Sequence, residues 1–544
     1  RDAIDRFLTR VRQDTDARLQ MLAGELPFNA PTVAGILMKH ITEPAPLPVE
    51  DARSRKLSDY YDILTHTLAT PGERQPAGGE IGAMGVNTLG EPMEGAWWER
   101  RHYYRRMTAD ELRRGPGGGS PPAMDGPWTV VSAKTEGITP GFVILDRLGR
   151  RYFIKFDPPS NPEMATGADQ IASKIFHALG YHVPDNYVVY FRPDILELGE
   201  EVRIEDRLGR KHPMTPRDLS EILMRVHRCA DGRYRATASL ALPGKTLGPY
   251  RYYGTRSDDP NDTVPHEHRR DLRAMHLACA LVNHDDSRSI NTVDVLVDGP
   301  RGKYIRHYQL DFGSTLGSGS DKVNSPRSGG EYLFGWRSAA TQLLTLGLAV
   351  PPWARARYPP LEAVGRFESA LFDPDRWVPE YPNPAFLNRL PDDEFWMAKQ
   401  IVRLRDDDIA AIVETARYSD PRAAEWIARC LMERRDKIGV AAFARVLPLD
   451  RFGVSGGRLR WEDVAASAGL GPPLEVSVRW ERFDNAAERG TPLPGAAGPD
   501  VPPVPGDGYL RAVLGAAGRP GQEVSVYLRK EGERLDVVGV ERTW

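Results

Sequence analysis

An α+β chain is predicted, in which a small β-rich unit leads into a larger α-rich one and a small β domain closes the C-terminus. Three observations predict it. Short β-prone runs crowd between Trp128 and Leu242 with one long helical pattern among them. Helical apolar spacing dominates from Leu272 onward, and alternating residues return between Val476 and Val540. Several strands with one helix, followed by mainly helical sequence, favour segregated layers over an alternating βα architecture. At 544 residues the chain is also too long for a single compact core.

The elements follow in order. Residues 1–71 read as a helical N-terminal segment, and residues 72–127 as an irregular Gly/Pro-rich segment containing Trp97-Trp98 and the run Gly115 to Gly119. Trp128 to Val131, Phe142 to Leu145 and Arg151 to Ile154 are strands, the last two joined by a hairpin-like turn at Asp146 to Gly149. A helix follows. Asn161 can cap it, Pro162 suits its first turn, Gly180 suits the position past its end, and Ile171, Ile175 and Leu179 form its apolar stripe. Tyr187 to Phe191 and Tyr234 to Leu242 complete the β-rich unit.

Beyond it, Leu272 to Leu281, Phe395 to Tyr418 and Ala423 to Ile438 carry helical spacing. In the tail, four alternating runs beginning at Val476, Tyr509, Val524 and Leu535 are strands, with Thr491 to Gly508 as a long loop. The predicted boundaries are 1–71, 72–127, 128–245, 246–470 and 471–544.

Composition excludes several classes. With 41% hydrophobic and 27% charged residues the chain has a soluble globular balance. Lys+Arg 72 against Asp+Glu 75 leaves a net charge of -3, which argues against a nucleic-acid partner. No apolar run is long enough for a membrane span. Three cysteines, Cys229, Cys279 and Cys430, exclude a disulfide scaffold and CxxC metal sites, and fit a cytoplasmic location. The chain begins with Arg1 rather than Met, so its true start, and any signal peptide, are expected to be missing.

The informative segment is His284-Asp285-Asp286-Ser287-Arg288-Ser289-Ile290-Asn291, followed by β-prone Thr292 to Val297, a turn at Asp298 to Gly302, Tyr304 to Leu310 and Asp311-Phe312-Gly313. This order resembles the catalytic loop, hairpin and metal-binding motif of the protein-kinase-like superfamily. That family's loop reads H-R-D-x-K-x-x-N, and His284, Asp286, Arg288 and Asn291 fall on its His, Asp, Lys and Asn positions. Asp285 replaces the family's Arg and Arg288 replaces its Lys.

The resemblance, over residues 128–319, implies a bilobal kinase-like fold with 128–245 as N-lobe and 246–470 as C-lobe. It implies ATP and Mg²⁺ as cofactors and an unidentified protein or small-molecule hydroxyl as acceptor. Asp286 would orient the attacking hydroxyl, and Arg288 would neutralise the transferring phosphate. Asn291 and Asp311 would ligate Mg²⁺. Lys155, ending a strand, would hold the α- and β-phosphates, with Asp169 as its ion-pair partner within ~4 Å. The first-turn Glu163 is the other carboxylate on that helix, where the helix dipole already favours one.

The family's glycine-rich loop is absent. Gly137 and Gly141 stand in its place, where their N–H groups can approach phosphate. That departure, and Gly317-Ser318-Gly319-Ser320 where an A-P-E segment would lie, make the nearer likeness one to atypical kinases of the HipA-type and lipid-kinase-like groups. A catalytically silent nucleotide-binding scaffold and AMP transfer on the same fold are the alternatives. Leu22 to Phe28 with His40 to Pro44 resembles a C-lobe fragment of bacterial Ser/Thr kinases and implies no catalytic role. His266, His268, His276 and His284 lack the H-E-x-x-H spacing of a zinc hydrolase and read as surface and core residues.

Overall fold

The computed structural model describes residues 47–49, 52–134, 141–205, 211–300, 302–335, 343–345 and 350–544. The predicted kinase-fragment phrase, Leu22 to Phe28 with His40 to Pro44, and Gly137 lie outside them.

The β-rich unit is a six-stranded sheet built from β1 (Trp128–Lys134), β2 (Gly141–Leu145), β3 (Arg151–Phe156), β4 (Asn186–Phe191), β5 (Leu196–Leu198) and β8 (Tyr234–Leu240). Two short strands, β6 (Arg203–Glu205) and β7 (Lys211–Pro213), pair separately. The sheet order is β4-β8-β3-β2-β1-β5, antiparallel except for the β1–β5 edge. Side chains alternate across β3. Tyr152, Ile154 and Phe156 enter the sheet core, so Lys155 emerges on the opposite face.

Gly141 sits directly opposite Lys155 in the ladder. A Cβ at Gly141 would lie 2.5 Å from the Ile154 carbonyl oxygen, so strand packing alone requires glycine there.

On entering the helical part, α1 (Asp59–Leu64) and α2 (Ala109–Arg114) come first. The second lies inside the segment predicted as irregular and is closed by a Thr108–Glu111 capping box. Trp97 and Trp98 of that segment are buried in the helical core. The long helix α3 (Met164–Ala178) starts later than predicted. Its N-cap is Glu163, at φ 69, rather than Asn161, whose side chain instead donates to the Glu362 carbonyl. Gly180 follows its end at φ +102, where a Cβ would meet Trp98 Nε1 and the Glu99 carbonyl. Positive φ and close approach both demand glycine.

After α4 (Pro216–Met224), α5 (Arg270–Val282) runs into the segment beginning His284. The stretch predicted as one helix from Phe395 to Tyr418 is two, α6 (Pro391–Ile401) and α7 (Asp406–Glu414). Asp408 marks the start of the second by accepting from the Arg405 backbone N–H at 3.0 Å. Helix α8 spans Pro421–Arg445. α3 shares an apolar core with α5 to α8, whereas the six-stranded sheet and α4 form a separate one.

Between them, β9 (Lys245–Gly248), β10 (Thr292–Gly299) and β11 (Gly302–Gln309) make a three-stranded sheet in the order β11-β10-β9. The β10–β11 hairpin carries the chain from Asn291 to Asp311.

The tail holds the hairpin β12 (Leu449–Ser455) and β13 (Arg458–Asp463). It continues with β14 (Val476–Asp484), β15 (Arg489–Ala497), β16 (Gly508–Ala516), β17 (Glu523–Glu531) and β18 (Arg534–Arg542). The last five form one antiparallel sheet in the order β15-β14-β16-β17-β18. β15 takes up the start of the predicted loop, through Ala497. Pro492 and Pro494 are tolerated because it is an edge strand. The core of this sheet takes in Leu447, Leu449 and Leu459, upstream of the predicted boundary at 471. Among the described residues no helix is long and apolar enough to cross a membrane.

Candidate functional site

Of the predicted residues, Lys155 and Asp169 act on the charge of Asp311, and Asp311 on that of Asp286, where β3 meets the loop after α5 and the end of β11. Lys155 Nζ donates to Asp311 Oδ1 at 2.8 Å. Asp311 itself sits in the left-handed region at φ 57, ψ 51, an uncommon conformation outside glycine and asparagine. The next residue, Phe312, is fully buried and packs on Phe176 of α3 and on the His284 ring, at 5.0 and 5.7 Å between centroids. His284 also meets Phe176, at 6.2 Å. One aromatic cluster thus ties α3, the loop and the Asp311 turn to each other. Burial pulls the His284 pKa down to about 4, so the ring is neutral and acts by packing.

Asp169 does not make the expected ion pair. Lys155 pairs with Asp311, while Asp169 Oδ1 accepts from Asn186 at 3.3 Å and its Oδ2 is buried without a hydrogen bond. The physical reason is reach. Asp169 is a short side chain on a buried helix face, and the Asp311 turn brings a second carboxylate closer. Asp169 still acts electrostatically. Burial pushes its pKa up to about 6, with Lys155 opposing that shift and Asp311 adding to it. Burial works against the Lys155 ammonium, but the Asp311 and Asp169 charges outweigh it and hold the Lys155 pKa above the usual lysine value. Glu163 is turned elsewhere and accepts from the backbone N–H and hydroxyl of Ser419.

The loop itself is tightly internally bonded. Asn291 Nδ2 donates to the Asp286 carbonyl at 2.7 Å, Arg288 N donates to the same oxygen at 2.8 Å, and Leu310 N donates to the Asn291 carbonyl at 2.8 Å. Arg288 contacts the Asp286 carboxylate, donates to Asp59 Oδ1 of α1 at 2.9 Å, and lies 3.7 Å from Glu380. Asp286 is pushed above its usual range by burial, against the pull of Arg288 and with a further push from Asp311.

Asp285 and Asp286 face different ways. Asp285 is buried and accepts from Asn324 Nδ2 at 3.2 Å, holding the chain that follows Asp311. Burial raises its pKa to about 7 despite a hydrogen bond from Ser328. Glu380, whose backbone N–H donates to the Asp285 carbonyl, is pushed up to about 8 by burial and by Asp286. Sequence reasoning missed Glu380 and Asp59. Neither lies near a recognisable motif, and only tertiary proximity marks them.

Asn291 and Asp311 are hard-oxygen donors of the kind Mg²⁺ takes, and the acid-rich surroundings fit a cation there. No group of three or more His, Cys, Asp or Glu among the described residues forms a protein-only metal cage. The four histidines considered as rival ligands are all core residues, none of them on the surface. His266 bonds Asp262, His268 bonds Glu73 and Arg273, and His276 bonds the Trp377 carbonyl.

No protein-family model matches the chain, and no curated protein matches it. Among solved structures, the chain is similar to a Helicobacter pylori proinflammatory kinase, CtkA, at TM-score 0.31 and 11% identity over 58% of this chain and 99% of that one. It is similar to a Golgi casein kinase at TM-score 0.32 and 9% identity, over 62% and 75% of the two chains. The same kinase with Mn/ADP bound matches at TM-score 0.28 and 10% identity, over 61% and 76%.

Proposed function

We propose that this chain is an atypical kinase that binds ATP with Mg²⁺ and transfers the γ-phosphoryl group to a hydroxyl of a protein or small molecule. The observation that carries the reading is the 2.8 Å contact between Lys155 and Asp311, with Asp286 near enough for Asp311 to raise its pKa. Lys155 lies on a strand and Asp311 at the end of a hairpin, 156 positions away in sequence. A fold that pays for this much convergent carboxylate needs a cationic ligand to balance it.

In this reading Lys155 binds the α- and β-phosphates, exchanging its Asp311 partner for them. Asn291 and Asp311 hold Mg²⁺, which supplies neutralisation of the charge on the triphosphate. Asp286 orients the acceptor hydroxyl and takes its proton as the oxygen attacks phosphorus and ADP leaves. A carboxylate whose pKa is already raised is the better proton acceptor at neutral pH. Arg288 meets the transferring phosphoryl group when its contacts with Asp59 and Glu380 loosen. Gly141, and Gly137 in the same connection, belong to the segment covering the phosphates.

The test is incubation with ATP and Mg²⁺, followed by intact-protein mass and by ADP release. Phosphoryl transfer to the chain adds ~80 Da and AMP transfer ~329 Da, while a silent scaffold gives no shift and no ADP. Asp286→Asn should lower ADP release by roughly 10²- to 10⁴-fold, the usual worth of a positioned acid or base, with ATP affinity within a few-fold. If Asp285→Asn is the inactive variant instead, the assignment within the loop is wrong.

A further inference from the structure

A cavity of about 270 Å³ lies between Asn283, the Gly329-Gly330 turn and α8. Arg434 of α8 forms part of its wall. That arginine is 4% exposed, and its guanidinium lies over Phe372 at 3.9 Å and Phe367 at 4.6 Å. Among the described residues none of its five N–H groups has a hydrogen-bond or ion-pair partner, and its Nε is fully enclosed. Trp353 Nε1, in the same wall, is likewise a buried donor without an acceptor.

Ring contacts recover part of the cost of burying a guanidinium, but they supply no acceptors. The Glu368 carboxylate in the same wall favours the charge from a distance but makes no ion pair with it, so the buried donors still lack acceptors, and their retention calls for an occupant. Burial lowers the Arg434 pKa to about 9 against the opposing pull of Glu368, which leaves it cationic at neutral pH.

We propose that this cavity binds a small monoanion with an aromatic body, an aromatic carboxylate, through Arg434. The orphaned groups are donors, so the ligand must bring acceptors. Phe372 and Phe367 lie against the guanidinium, which leaves its N–H edge for an in-plane, bidentate oxyanion. Trp353, Tyr358 and Trp377 line the remainder, which suits a flat apolar ring. The rim carries Glu331, Glu368 and Asp373 against Arg366 and Arg376, and Arg376 is already paired with Asp373 at 3.3 Å. Those acids disfavour a dianion such as a phosphate. The wall also touches the loop: Asn283 accepts from Trp377 Nε1 at 2.8 Å and donates to Ser328, which is bonded to Asn324 beside Asp285.

Benzoate is the probe, titrated into the full chain by calorimetry and by thermal unfolding, with inorganic phosphate as the comparison arm. Benzoate should raise the melting temperature in a concentration-dependent way. Arg434→Gln should weaken it at least tenfold. Ala356→Trp, which fills the cavity while leaving the guanidinium in place, should do the same and covers the case in which the arginine variant fails to fold. Benzoate binding unaltered in Ala356→Trp, no binding to the native chain, or phosphate binding as tightly as benzoate would each overturn the proposal.

Discussion

Two buried polar networks in this molecule are built on opposite principles. At the junction of α6 with the tail, Lys399 meets Glu91 at 2.5 Å and Asp450 at 2.8 Å, and Arg542 lies 3.4 Å from Asp450. Tyr103 donates to Asp450, and Trp396 and Tyr104 donate to Glu91. Two carboxylates face two cations, and Asp450 is held well below its usual range because Lys399 and Arg542 outweigh the burial that opposes them. Around Lys155 and Arg288, by contrast, Asp59, Asp169, Asp285, Asp286, Asp311 and Glu380 converge on two cations. Four of those acids are pushed upward. A balanced network holds structure together by itself, whereas the acid-rich one carries an excess of carboxylate that, on the proposed function, a bound cation would offset.

The largest effect should come from unbalancing the junction. Lys399→Met leaves Glu91 and Asp450 buried without their shared cation, which typically costs about 3–5 kcal/mol. Urea unfolding should show that loss. ADP release per folded molecule should be unchanged, because no residue of this network touches the Lys155–Asp311 contact. A loss below about 1 kcal/mol would mean that water already serves those carboxylates, and the contrast between the networks would fail.

The acid-rich site should respond to pH in the reverse sense. Asp285 titrates at about 7 and Glu380 at about 8, above their ordinary 3.8 and 4.5. The folded state therefore holds protons that the unfolded chain has already released. Its stability is full below about pH 4 and declines as pH rises toward 8, by up to about 1.4 kcal/mol per group per pH unit. Asp450 behaves oppositely, and its contribution is lost only in strong acid. Asp285→Asn removes one raised group beside Asp286, Glu380 and Arg288 and keeps an acceptor for Asn324. The fall in urea midpoint between pH 5 and 8 should be shallower in that variant, and an unchanged slope would place the pH response elsewhere.

Patterns carried by neighbouring residues were legible in the sequence, and contacts made across the fold were not. The strand Arg151 to Ile154 with Lys155 at its end was legible, because a β-prone run bounded by turn signals is a local pattern, whereas the face Lys155 takes emerged only with the sheet. The spacing from Asp286 to Asn291 likewise reflects a short loop bonded to itself. Asp59 was invisible, since its contact with Arg288 spans 229 positions. The Lys155 partner was misjudged because helix periodicity identifies a face and says nothing of which carboxylate a distant turn delivers. β15 was hidden by Pro492 and Pro494, whose cost depends on edge position, a property of the assembled sheet. The α6–α7 break fell inside a continuous apolar pattern that both helices share.

The smallest expected effect sharpens the comparison from its exposed end. Arg479 on β14 reaches across β16 to Glu523 on β17, with both guanidinium nitrogens within 2.9 Å of the carboxylate. The geometry is as good as any ion pair in the junction, yet the arginine side chain is 58% exposed and its partner 37%. Water and salt screen such a pair, and its two long side chains lose rotamer freedom in forming it. Arg479→Ala should therefore change stability by less than about 1 kcal/mol, and that difference should vanish at high salt. Lys399→Met should keep most of its cost under the same salt, because its partners are buried. If the two variants lose stability equally, burial is not what separates these networks, and neither the junction nor the acid-rich site can be read from its charge balance.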